Sequence, residues 1–254
     1  MLISSFASPV APFHDVSSKL VHRVCPLFVM KGPRQPDLIG TGVPLQIGSV
    51  SVIATAAHVL LGAGHASVLT FGVNKTVLLS GERRGFRHRK GKFVDVDLAV
   101  IVLSNEQRDE LRQQVEFSYS IEYATVRPPT ETAFYTLIGF PHSRNKVSPR
   151  LLTEAYAESA YFVTHKRVPL SAIKSDDKCD PVHFALAAPS RYVPAPGGIS
   201  GGGVWWLHQS PDPAAAPTPR LVGIGIEYWR RPGAFVCTRI AQVDQMVRDL
   251  QARS

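Results

Sequence analysis

The chain alternates short apolar runs with turn-forming residues, the pattern of a protein built mainly from strands. Leu20 to Met30, rich in Val, Leu and Phe, is expected to open a first barrel. Gly40-Thr41-Gly42-Val43 then starts a hairpin, Val43 to Ile47 pairing with Val50 to Thr55 across Gly48-Ser49. Ala66 to Phe71 and Thr76 to Ser80 read as further strands, and Leu98 to Leu103 is apolar throughout, as a core strand should be. Asn105 to Glu122 is polar, with sparse apolar positions, and reads as the connection between two halves, with room for a helical turn.

Strands resume at Ala133 to Gly139, Arg150 to Glu158, His183 to Ala188, Val204 to His208 and Leu221 to Tyr228. Ser210 to Pro219 reads as an exposed loop whose prolines exclude a central strand. The tail places Ile240, Val243, Met246, Val247 and Leu250 at helical spacing. Many strands followed by one terminal helix point to an all-β barrel or sandwich architecture.

Composition narrows this without redirecting it. The chain has 254 residues, 44% hydrophobic and 19% charged, enough for one large core or two small barrels. The apolar share is too high for a disordered chain and too interrupted for spanning helices. The formal net charge is +8, and much of the excess lies in one stretch holding Arg83, Arg84, Arg87, Arg89, Lys90 and Lys92. That stretch is expected to be a solvated hairpin loop. Its only aromatic support is Phe86, so nucleic acid is not the expected partner.

Cys25, Cys179 and Cys237 are odd in number and widely spaced, so no disulfide framework can be read from them. Met1 to Phe6 lacks the basic and apolar regions of a leader. A cytoplasmic location with no membrane partner is the expectation. The histidines show no His-Glu-x-x-His or comparable spacing, so neither a metal nor a cofactor is expected.

Chemistry enters at Gly197-Gly198-Ile199-Ser200-Gly201-Gly202-Gly203-Val204-Trp205. Glycines around a serine let the backbone take unusual dihedrals and let a substrate carbonyl approach its amides. The N–H groups of Gly198 and Ser200 could then form an oxyanion hole. The plainer reading is a flexible glycine-rich turn. Ile53-Ala54-Thr55-Ala56-Ala57-His58 brings a histidine to the end of a strand, where it could equally be structural. Asp97 leads into the apolar strand, with Asp95 as a competing acid and a turn-forming role as the alternative. Together they supply a hydroxyl, a base and a carboxylate in the order His, Asp, Ser, one of the few orders that builds a catalytic triad.

These segments resemble the trypsin/chymotrypsin-like serine protease superfamily, and most closely its disulfide-free bacterial peptidases. Gly40-Thr41-Gly42-Val43 with Thr55-Ala56-Ala57-His58 resembles the first hairpin and histidine motif. Asp97-Leu98-Ala99-Val100-Ile101 is similar to the aspartate strand and favours Asp97 over Asp95. Ile138-Gly139-Phe140-Pro141 resembles the strand opening the second barrel, and Gly198-Ile199-Ser200-Gly201-Gly202 the nucleophile motif. Leu221 to Gly225 and Arg231 to Phe235 are similar to the last two strands.

The resemblance implies two six-stranded antiparallel β-barrels with a C-terminal α-helix, as one peptidase domain over 1–254. Its halves would be about 18–118 and 119–239, and its helix 240–252. It implies a serine endopeptidase in which Ser200 is the nucleophile, His58 the general base and Asp97 its orienting acid. Gly198 and Ser200 would form the oxyanion hole, and Ile226, Glu227 and Tyr228 would bind substrate. The substrate would be a protein or peptide, and relatives found beside effector proteins imply a regulatory or effector protein partner.

The sequence departs from the family at Ile199, where trypsin-type enzymes carry an aspartate and many bacterial relatives an asparagine. The family's disulfides are absent, and Pro189 to Ile199 contains no acid for a trypsin-like pocket. Cleavage after small or apolar residues is therefore expected, unless Glu227 points inward. Two other readings stand beside this one: an inactive binding module on the same fold, and a basic nucleic-acid-binding barrel, which leaves the three motifs unexplained.

Overall fold

The computed structural model describes residues 4–6, 11–32, 35–72, 75–86, 96–119, 134–143, 145, 160–164, 167–172, 182–188, 197–208 and 217–252. The expected strand Arg150 to Glu158, the competing acid Asp95, the basic residues from Arg87 to Lys92 and Cys179 lie outside them.

The first sheet begins with β2 (Cys25–Gly32), β3 (Gln35–Ile47) and β4 (Val50–Ala56). A short helix α2 (Ala57–Ala63) follows, then β5 (Val68–Gly72), β6 (Lys75–Leu78), β7 (Arg83–Phe86) and β8 (Leu98–Val102). The strand order is β6-β5-β2-β3-β4-β8-β7, with the short β9 (Ser118–Tyr119) added parallel to β3. β6 and β7 are two pieces of one interrupted strand: β6 pairs with β5, β7 with β8. The expected β3–β4 hairpin is present in register, Val43 opposite Ala54 and Ile47 opposite Val50, with Gly48 at φ +58° in the turn. β8 is apolar along its length because β4 and β7 flank it and it is buried or nearly so at every position.

The second sheet has the order β1-β11-β10-β14-β15-β16-β13-β12. Its main strands are β10 (Phe134–Gly139), β11 (Ala160–Thr164), β13 (His183–Ala187), β14 (Gly203–His208), β15 (Thr218–Trp229) and β16 (Ala234–Arg239). Two-residue β12 (Arg167–Val168) and β1 (Ser4–Phe6), which runs parallel to β11, are added at its ends. Among the described residues each sheet thus carries six main strands of a curled antiparallel half, with short additions. The whole is a chymotrypsin-like double barrel closed by helix α4 (Ile240–Gln251).

The largest apolar cluster joins the halves. Val43 and Leu45 from the first sheet meet Ile138, Phe140, Trp205 and Ile224 from the second, and Val243, Met246 and Val247 of α4 pack into the same cluster. Each fully buried aliphatic side chain there contributes about 1.5–3 kcal/mol relative to exposure. The helical spacing of the tail is therefore the imprint of this contact.

Three local expectations are corrected and one, the helical turn after Ser104, is extended. Leu20–Arg23 is a 3-10 turn that buries Leu20 and Val21, and β2 begins at Cys25. Arg83 and Arg84 lie in strand β7 rather than a loop, because β8 has an edge to fill and Arg84 faces outward beside Glu82. Asn105–Leu111 forms a full helix, α3, started by a capping box between Ser104 and Gln107. Pro219 lies within β15, opposite Leu207 of β14. Proline is tolerated there because β16 pairs with β15 only from Gly223 onward, so that side of Pro219 needs no ladder donor. Helix α1 (Ala11–Lys19) precedes all of this and has no counterpart in the sequence reading.

Candidate active site

β4 ends at Ala56 and β8 begins at Leu98, and these two residues are paired. The residues just beyond them, His58 on α2 and Asp97 before β8, are therefore delivered to the same end of the sheet. The Ala57 N–H donates to the Asp97 carbonyl at 3.1 Å. Asp97 takes φ +41°, a left-handed conformation that Asp tolerates better than most residues. This turns its carboxylate back onto α2. Oδ1 accepts the His58 backbone N–H at 2.9 Å, and Oδ2 accepts the ring Nδ1–H at 2.7 Å.

Residue Ala56 provides no side-chain cap for α2, so the Asp97 carboxylate supplies one. A carboxylate only accepts, which assigns the proton to Nδ1 and leaves the Nε2 lone pair available. The Asp97 side chain is 8% exposed and that of His58 33% exposed, so the acid is covered while the imidazole reaches the surface. From the second sheet, Thr238 Oγ1–H donates to the Val96 carbonyl at 2.6 Å and pins the chain just before the acid.

Ser200 sits in a turn that only glycine can build. Gly198 and Gly201 both have φ +88°. A Cβ on Gly201 would lie 1.9 Å from the Thr41 carbonyl oxygen, and one on Gly198 2.4 Å from that of Phe140. The turn closes through Gly202 N–H to the Ile199 carbonyl at 2.8 Å and is tied to β15 by Gly201 N–H to the Gly225 carbonyl at 2.7 Å. The Gly197 carbonyl accepts from His142 N–H at 2.7 Å. In a trans peptide the N–H points opposite to the C=O. The N–H of Gly198 is therefore turned away from His142, and that of Ser200 away from Gly202. Neither amide donates to a protein acceptor among the described residues.

Thr41, at the centre of β3, joins this turn to the first sheet. Its N–H donates to the Ser200 carbonyl at 2.8 Å and its Oγ1–H to the Gly198 carbonyl at 2.8 Å. Gly40 lies between the His58 and Ser200 segments: a Cβ there would be 2.7 Å from the Val59 methyls and 3.0 Å from the Ser200 carbonyl. The serine hydroxyl donates to the Ile226 carbonyl at 3.4 Å and makes no hydrogen bond to His58. A bond that long is weak and leaves the hydroxyl free to rotate.

A narrow cleft beside Ser200 is lined by Leu137, Ile199, Gly225, Glu227, Tyr228 and Phe235. It offers about 10 Å³ of water-sized space, room for roughly one water molecule. Of the three expected substrate-binding residues, Glu227 and Tyr228 border this cleft. Ile226 has its side chain in the core with Ile53 and Val236, and presents its carbonyl to Ser200. A register shift between Gly225 and Glu227 separates them. Thr41 and His142 were not singled out by sequence reasoning. Thr41 carried the signal that could have found it, a hydroxyl between two glycines in a strand otherwise destined for the core.

The fold compares with solved serine protease structures. The scabies mite inactivated protease paralogue S-I1 is similar with a TM-score of 0.58 and 14% identity, over 93% of this chain and 96% of that one. The inactive form of a serine-to-alanine mutant of Rv3671c from M. tuberculosis H37Rv is similar with a TM-score of 0.50 and 13% identity, over 99% and 98%. The serine protease domain of the Sesbania mosaic virus polyprotein has a TM-score of 0.47 and 14% identity, over 87% and 90%. No family model matches the sequence, and no curated protein matches it either. At these identities the likeness is one of fold: a chymotrypsin-like double barrel.

Proposed function

We propose that the chain is a serine endopeptidase that works through an acyl-enzyme on Ser200. The observation that carries this reading is the two-point contact of Asp97 with His58, formed where the glycine turn holding Ser200 meets the first sheet. Ser200 Oγ attacks a peptide carbonyl while its proton passes to His58 Nε2. The carbonyl oxygen gathers charge at the N–H groups of Gly198 and Ser200, which have no competing acceptor among the described residues. When the C–N bond breaks, His58 donates the proton to the leaving amine, and water then releases the acyl group by the same route. Asp97 holds the ring in the required tautomer throughout. The substrate is a protein or peptide, and a dedicated protein partner is the natural form of it.

The missing bond between Ser200 and His58 favours a second reading, an inactive binding module on the protease fold. In free enzymes such contacts are often long and tighten only with substrate, so the peptidase reading is preferred. A fluorophosphonate probe decides between them. Stoichiometric labelling at Ser200, abolished in His58→Ala, is the expected result. A fully folded chain that stays unlabelled would establish the binding module instead.

A further inference from the structure

Thr41 is fully buried, and every polar atom it owns is engaged. Its N–H donates to the Ser200 carbonyl at 2.8 Å, and its own carbonyl accepts from Thr55 Oγ1–H at 2.7 Å. Its hydroxyl donates to the Gly198 carbonyl at 2.8 Å and accepts from the Phe140 N–H at 2.9 Å. One side chain of the first sheet therefore holds two points of the second: the turn that carries Ser200, and the end of β10. The hydroxyl sits between them as donor to one and acceptor from the other.

The consequence follows from peptide geometry. The Gly198 carbonyl belongs to the peptide plane just after the Gly198 N–H, and the Ser200 carbonyl to the plane just after the Ser200 N–H. Fixing both carbonyls restrains the backbone dihedrals on which the aim of those two N–H groups depends. Gly198, at φ +88°, has no Cβ and little intrinsic resistance to rotation. At Ile199 there is no ionisable group to receive a salt bridge, and its side chain is buried among Leu137, Tyr135 and Val204. Beyond that packing, the hold on the turn comes from hydrogen bonds, and among the described residues the Thr41 hydroxyl supplies the one that reaches Gly198.

We infer that Thr41 is the positioning residue of the nucleophile turn, its hydroxyl latching the Gly198 carbonyl so that the Gly198 and Ser200 amides stay aimed at the reacting carbonyl. This rests on the peptidase reading above for its catalytic consequence and on the hydrogen bonds alone for its structural one. Thr41 touches no substrate.

The test compares Thr41→Val, which keeps shape and removes the hydroxyl, with Thr41→Ser, which keeps the hydroxyl. Thr70→Val serves as a control, because Thr70 Oγ1–H also makes a buried bond, to the Pro26 carbonyl at 2.7 Å, away from the turn. Thr41→Val should lower kcat by about 100-fold with little change in KM, the scale of losing an oxyanion donor. Affinity for a peptide aldehyde should fall in parallel. Thr41→Ser should stay within about threefold of the parent, and Thr70→Val should lower Tm while keeping kcat.

Hydrogen exchange across 198–202 reads the latch without any chemistry. Thr41→Val should speed exchange of the bonded Gly201 and Gly202 amides by about tenfold. Unchanged kcat and unchanged exchange in Thr41→Val, equal damage in Thr41→Ser, or an equal kcat loss in Thr70→Val would each overturn the inference. A parent protein unreactive to the fluorophosphonate would overturn the peptidase reading instead, with the exchange comparison still deciding the latch.

Discussion

Asp97 grips His58 twice, through the ring Nδ1–H at 2.7 Å and through the backbone N–H at 2.9 Å. Both partners are donors, so a group that only accepts is required at this position. Asp97→Asn would place an amide NH₂ against one of them. With its oxygen kept on the backbone N–H, the NH₂ faces Nδ1 and forces the ring into the opposite tautomer. The fold should survive and kcat should fall about ten-thousandfold, as measured on a peptide substrate. Asp95→Asn should leave the rate near that of the parent. If the two results are exchanged, the acid has been misassigned.

Ser200→Ala and His58→Ala should each reduce turnover by about a million-fold, and the double variant should be no worse than either alone. On the proposed mechanism nucleophile and base act as one unit, so removing the second member has nothing left to take away. Multiplicative losses in the double variant would show that the two residues work independently, which the proposed mechanism excludes.

Where side-chain periodicity sets the structure, the sequence was legible. The β3–β4 hairpin, the buried β8 and the apolar face of α4 all follow from residues that repeat with period two, run continuously or fall at helical spacing. His58, Asp97 and Ser200 stood out as candidates because each stands at a strand end or in a glycine turn. Hydrogen bonding between distant segments was not legible. Thr41 and Gly198 are 157 residues apart, and although a hydroxyl between two glycines marks Thr41, nothing local names its partner. The side chain of Ile226 could not be assigned either, because an irregular register between Gly225 and Glu227 breaks the alternation of faces.

The cleft beside Ser200 is lined by the rings of Tyr228 and Phe235, whose centroids lie 4.9 Å apart, and by Ile199 and Leu137. On the peptidase reading this cleft would take the side chain before the scissile bond, and space for about one water molecule suits Ala or Ser rather than a larger one. A proteome-derived peptide library should be cut mainly after small residues, and Tyr228→Ala should extend cleavage to Leu and Phe. Cutting mainly after Arg and Lys would reverse this expectation and assign the preference to Glu227, which borders the same cleft.

Burial pushes the Cys25 thiol up to about 12 and the Cys237 thiol higher still. The reactive form is the thiolate, so at pH 8 only about one Cys25 in ten thousand is available. Iodoacetamide at that pH should leave both residues unmodified in the native protein and label them after denaturation. The same shifts link stability to pH. A raised folded-state pKa is fully stabilising below the unfolded value of 9.0 and loses that contribution as pH climbs through the folded value. Urea midpoints should therefore fall above about pH 9, and replacing Cys25 by Ala should flatten the decline. Rapid native alkylation of Cys25 would contradict the burial.

In trypsin-type enzymes, activation by N-terminal cleavage depends on a buried ammonium finding a carboxylate next to the serine. Ile199 occupies that place and is 2% exposed, packed with Leu137, Tyr135 and Val204. An ammonium brought into that cluster would lose its hydration without gaining a counter-charge, a cost of several kcal/mol. The turn is held in another way, by Thr41 on one side and by the Gly201 N–H to the Gly225 carbonyl on the other. These bonds need no new chain end. Protein that keeps Met1, protein with a blocked N-terminus and protein trimmed to begin near Leu20 should therefore show comparable fluorophosphonate labelling rates, after correction for the folded fraction. The trimmed form lacks β1 and α1, so its Tm is measured alongside. If only the trimmed form reacts, processing switches the enzyme on, and the hydrogen bonds around Ser200 do not suffice to hold the turn in its working shape.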